Sequence, residues 1–109
     1  MLGSMFEALM ASDPTNDGDV RNLYKVGQNT TRFLLAAGDL VVGWLLLQQA
    51  AAAHEALQAG ASERDTDFYT GKIAAARFFA SQVLPRLAAE RAMAAATDNS
   101  LMDVPESAF

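Results

Sequence analysis

The chain has 109 residues, 51% of them apolar, a net charge of -5 and no cysteine. That length fits one domain or a piece of one. Disulfides and thiolate metal sites are excluded, and an acidic surface disfavours nucleic acid and anionic membranes. Ala and Leu dominate the apolar content and β-branched residues are few, which points to an all-α fold.

The first stretch, MLGSMFEALMA, sets Met5, Phe6, Leu9 and Met10 on one helical face and predicts a short helix. Residues 1–18 are expected to be this helix and a loop, with 1–4 a cloning scar and Met5 another start. The stretch lacks the basic region and long apolar core of a signal peptide. Ser12, Asp13, Pro14, Asn16, Asp17 and Gly18 then carry turn chemistry. Asp17 or Asp19 is placed to cap the next helix, where a carboxylate meets free N–H groups.

From Asp19 the pattern is helical. Val20, Leu23, Gly27, Thr30, Leu34, Ala37, Val41, Trp44 and Gln48 form a stripe at 3-4 spacing, with Arg21, Lys25, Gln28 and Arg32 mostly off it. Within this helix, residues 33–47 (FLLAAGDLVVGWLLL) are the most apolar run of the chain and carry only Asp39 as a charge. A helix apolar on every side is buried on every side. Gly27, Gly38 and Gly43 each weaken it by about 1 kcal/mol relative to Ala. They are expected to mark close helix approach, with a hinge near Gly27 as the alternative. The stretch of residues 33–53 has roughly the length a bilayer needs. Asp39 near its middle opposes that, at a cost of about 2.5–3.5 kcal/mol on insertion, and no membrane is expected.

Gly60 marks a helix end, and Ser62-Glu63-Arg64-Asp65 resembles a capping box with Asp in the Glu place. A connection this short folds the two helices antiparallel. Tyr69, Ile73, Ala76, Ala80, Val83 and Leu87 form the stripe of the returning helix, thickened by Phe68, Phe78, Phe79 and Leu84. Pro85 removes one backbone bond and is expected to kink or break that helix. The tail, TDNSLMDVPESAF, lacks a long period, and Leu101, Met102, Val104 and Phe109 are placed to anchor it.

Little in the chain carries chemistry. His54 is the single histidine, with no second ligand at helical spacing, and reads as part of a solvated face. Asp39 must find a partner or stay protonated. A fold at Gly60 sets it opposite Gln82, with Arg77 and Arg86 about a turn away on either side. A buried ion pair of Asp39 with Arg77 is the expectation. Glu63, Asp65 and Asp67 read as helix-start charges. No catalytic, cofactor-binding or metal-binding residue is assigned.

Residues 68–87, FYTGKIAAARFFASQVLPRL, together with VGQNTTRFLLAAGDLVVGWLL from Val26, resemble the extra C-terminal helical domain of large bacterial acyl-CoA dehydrogenases. The closing NSLMDVPESAF looks like the end of such an enzyme, and the likeness runs over about residues 20–109. The most telling part is KIAAARFF followed by Leu84-Pro85, a packing motif. The resemblance implies a parent that oxidises acyl-CoA thioesters with FAD, using a glutamate and a flavin pocket that belong to upstream domains. It also implies a role in packing on the parent's core or across its subunit interface. A cytoplasmic setting is expected from the lack of cysteine.

Residues 19–109 are therefore expected to be the helical domain proper: a long antiparallel hairpin completed as a four-helix-type bundle by self-association, as a homodimer. Phe33, Leu34, Val41, Trp44, Leu45, Phe78 and Phe79 are the expected core or interface. A free-standing helical interaction module unrelated to acyl-CoA chemistry is the alternative.

Overall fold

The computed structural model describes residues 1–109, and every regular element in it is helical. Four α-helices follow in order: α1 (Leu2–Met10), α2 (Asn22–Gln58), α3 (Glu63–Phe78) and α4 (Arg86–Ala96). Short 3-10 turns lie at Pro14–Asn16, Ser100–Asp103 and Glu106–Ala108, and a π-helical turn at Phe79–Val83 joins α3 towards α4. The chain divides into two compact units, Met1–Leu35 with Ala88–Phe109, and Ala36–Leu87. The division does not fall at the loop after α1.

The ends of the elements follow local chemistry. The Asp13 carboxylate accepts from the Thr15 amide at 2.9 Å and from its hydroxyl at 2.6 Å, which starts the first 3-10 turn. The loop closes tightly at Gly18, where a Cβ would lie 2.4 Å from the Asp13 carbonyl oxygen. Of the two candidate caps, Asp19 acts: its side chain accepts from the Arg21 amide at 2.9 Å and its carbonyl from the Asn22 amide. Asp17 instead takes a left-handed conformation, φ 57.

α2 runs unbroken through Gly27, Gly38 and Gly43. The close approach expected at all three is present at Gly43 alone, because a Cβ at Gly27 or Gly38 would meet nothing within 4 Å. It is long and apolar enough to cross a membrane. It ends at Gly60, whose φ of +90 is ordinary only for glycine. Ser62 then caps α3. Its Oγ accepts from the Asp65 amide at 3.2 Å and donates to the Asp65 carboxylate at 2.7 Å. Asp65 therefore bonds the cap's hydroxyl, where a Glu in a full capping box would reach back to the cap's N–H.

The break expected at Pro85 is present and has a specific form. Proline offers no N–H to the carbonyl four residues back, and its ring crowds that carbonyl. The preceding turn widens instead: the Leu84 amide donates to the Phe79 carbonyl, five residues back, at 3.1 Å. Arg86 Nε donates to the Val83 carbonyl at 3.4 Å.

In the unit Ala36–Leu87, α2 and α3 run antiparallel. Lys72 Nζ donates to Gln49 Oε1 at 3.3 Å near the turn, and Leu84 and Phe79 lie against Gly43 farther away. The packed face of α2 here is Ala36, Asp39, Gly43, Leu46, Ala50 and Ala53, all buried or half-buried. Of the predicted stripe, Tyr69, Ile73, Ala76, Val83 and Leu87 are half-buried, whereas Ala80 is exposed. In the other unit, Asn29 is buried. Its Nδ2 donates to the Lys25 carbonyl and to Thr97 Oγ1.

Candidate interaction surface

The side of α2 that packs is not the stripe expected from the sequence. Val20, Leu23, Gly27, Thr30, Leu34, Val41, Trp44 and Gln48 are exposed, and Ala37 is half-buried. The face turned to the returning segment is built mostly from small residues, with Asp39 and Leu46, instead. The reason is geometric. Ala36, Gly43, Ala50 and Ala53 let a neighbouring helix come close, whereas Trp44 and the leucines would hold it away. With apolar residues all round α2, hydrophobicity does not choose between faces, and side-chain size does.

The expected core or interface residues divide accordingly. Phe33 and Phe79 are half-buried, whereas Leu34, Val41, Trp44 and Leu45 expose 68%, 56%, 58% and 45% of their surface. Phe78 is exposed too. Leu40, Val42 and Leu47 extend the open apolar face. They were not singled out in the sequence, although the unbroken apolar run contains them.

Asp39 has a partner, and it is Arg86, not Arg77. Arg86 Nη2 lies 3.5 Å from Asp39 Oδ2, with the arginine side chain 63% exposed and the aspartate 29%. The pair is therefore not buried. Arg77 lies about three turns earlier along the returning chain, where it borders a hollow of about 370 Å³ with Gly43, Leu47, Ala50 and Leu84. The π turn and Pro85 come between the two arginines, and Arg86 emerges from them beside Asp39.

Elsewhere, Arg21 bridges Asp19 and Asp103 and so ties the start of α2 to the tail within one unit. The Arg21 guanidinium and amide hold the Asp19 carboxyl below its ordinary range. Thr15 does the same for Asp13, and Ser100 for Asp98. His54 and Glu55 are exposed on α2. Arg32, expected off the packed stripe, is half-buried, and its Nη1 contacts Met93 Sδ at 3.4 Å. Leu101, Met102, Val104 and Phe109 of the tail are all exposed.

Flavin does not fit the hollow beside Arg77. A dinucleotide needs converging donors for its phosphates, usually at a glycine-rich helix start. The hollow between α2 and α3 offers apolar side chains and one guanidinium.

The class of protein defined here is an all-α domain with one long, largely exposed apolar helix. Comparison with known proteins names the family. The sequence matches the family described as acetyl-CoA dehydrogenase C-terminal like over residues 1–105, and the chain belongs to it. A broad-specificity linear acyl-CoA dehydrogenase, FadE5, of Mycobacterium tuberculosis is 50% identical over 91 residues, which is 84% of this chain and 15% of that protein. A butyryl-CoA dehydrogenase of Syntrophomonas wolfei is 40% identical over 80 residues, 72% of this chain and 13% of that protein. The chain thus spans between 13% and 15% of the length of these curated relatives.

Proposed function

We propose that this chain serves as the non-catalytic C-terminal helical domain of an FAD-dependent acyl-CoA dehydrogenase, and that it acts by packing. The parent's flavin and catalytic glutamate belong upstream, and the oxidation of acyl-CoA thioesters takes place there. This chain's own part is to cover apolar surface, exclude water and fix the arrangement of the larger molecule. A cytoplasmic setting goes with that reading and suits a chain without cysteine.

The observation that carries the reading is the family match over residues 1–105, and the exposed apolar side chains of α2 support it. Apolar burial contributes about 25 cal/mol per Å², so a face holding Leu40, Val41, Trp44, Leu45 and Leu47 gains much from a cover.

The test is to express the upstream remainder of the parent reading frame with and without this chain supplied as a separate polypeptide. Co-purification, with flavin absorbance on the upstream part, is the expected result. An upstream frame closed by a stop codon, or one that encodes no flavoprotein, would defeat the proposal in favour of a free-standing helical module.

A further inference from the structure

With Asp39 engaged by Arg86 and both Asp19 and Asp103 by Arg21, Arg77 is left without a carboxylate partner. None stands near it along either helix. Arg77 is the only charged residue from Ile73 to Pro85, and α2 carries no charged residue from Leu40 to Ala53. Its place in the last turn of α3 does not account for it as a helix-end charge. The chain stays helical into the π turn, and the Phe79 amide already donates to the Ala75 and Ala76 carbonyls. What Arg77 borders is the hollow of about 370 Å³. Leu47 and Ala50 line it from α2, and Ile73, Ala76 and Leu84 from the returning segment. All of these residues lie within the unit Ala36–Leu87. The Arg77 guanidinium is the only charge in the lining.

We propose that this hollow is a binding site for an aliphatic carboxylate, with the chain laid against the apolar walls and the head group on the Arg77 guanidinium. Small-molecule sites of this size are mostly apolar, with a few polar groups that fix orientation. The hollow has the apolar walls and one such group. A guanidinium presents a planar fork of N–H donors that matches the two oxygens of a carboxylate. A neutral apolar occupant leaves that fork unused, and a cationic one is repelled by it. The charge at the rim and the apolar walls thus select one kind of occupant, an anion with a hydrocarbon chain. The proposal does not rest on the reading of the chain as a packing domain.

The experiment uses the whole chain in detergent-free buffer. Decanoate is titrated while backbone amide shifts are followed by NMR, with decyltrimethylammonium as the probe of opposite charge. Decanoate should saturate one site with a dissociation constant of about 1 mM or tighter, moving the amides of Ala50, Ile73 and Ala76. Octanoate, two methylenes shorter, should bind about tenfold more weakly. The cation should bind there at least about threefold more weakly than decanoate, although a chain of net charge -5 attracts cations in general. Arg77→Gln should remove that preference, and added salt should narrow it. Arg86→Gln, outside the lining, should leave it as it was. Circular dichroism checks that each variant keeps its helices. An absence of saturable shifts at the hollow overturns the proposal. So does a cation that binds there as tightly as decanoate, or an Arg77→Gln variant that keeps the preference. Shifts centred on Leu34 and Val41 in place of the hollow put the amphiphile on the bulky side of α2 and overturn it too.

Discussion

The contact at Gly43 gives the sharpest test of how α2 packs against the π turn after α3. A Cβ there would lie 3.3 Å from both terminal carbons of Leu84 and 3.5 Å from Cε1 of Phe79. Carbon atoms rest at about 3.5–4.0 Å, so alanine asks Leu84 to retreat by a few tenths of an ångström. Leu84 borders an open hollow and has room to do so. The helix-propensity gain of about 1 kcal/mol is then largely offset, and Gly43→Ala should be close to neutral. Gly71→Ala, with nothing within 4 Å, should keep most of that gain. Gly43→Leu drives further carbons into the same space and should cost about 1–3 kcal/mol. Adding Leu84→Ala should return about 1 kcal/mol of it through coupling, since the two side chains then share one volume. Urea denaturation followed by circular dichroism, at one fixed protein concentration, reads these differences. The reasoning fails if Gly43→Leu is as stable as the original, or if the double variant is strictly additive.

A double-mutant cycle on Asp39 and Arg86 should give a coupling of only about 0–1 kcal/mol, because the arginine is largely solvated and water screens the pair. The same cycle on Asp39 and Arg77 should give none, and a larger coupling there would show the pairing to be misread. Asp13, Asp19 and Asp98 have carboxyls held below the ordinary value of 3.8 by hydrogen bonds made in the fold. A depressed folded-state pKa contributes stability above the unfolded value and loses it as pH falls through the folded one. Denaturation midpoints should therefore stay level from neutral pH to about 5 and decline below about 4, with Asp19→Asn declining less. An Asp19→Asn profile that tracks the original in acid would contradict this. Ser62→Ala removes the cap of α3 and should cost about 1 kcal/mol, with faster amide exchange in the first turn. Unchanged exchange at Asp65 would refute that role.

Where helices begin and end was legible from a few residues at a time. Gly60 ends α2 because only glycine takes a φ of +90 without strain. Ser62 starts α3 because its hydroxyl meets an amide without a partner. Pro85 interrupts the return because it lacks an N–H, although the form of the break, a π turn ahead of the proline, was not readable. The partner of Asp39 was misassigned for that reason. The register of a helical return cannot be counted through a turn of unknown width, and Arg86 emerges from that turn where Arg77 does not.

The sequence by itself determined that the chain is helical, where it folds back, and which family it belongs to, because each of these is written in short-range chemistry or in a run of matching residues. The tertiary structure alone decided which side of α2 is used. A helix apolar all round gives periodicity no preferred face. Only the packing of the returning segment against Gly43, Ala50 and Ala53 shows that the bulky side, with Leu34, Val41, Trp44 and Leu45, is left exposed.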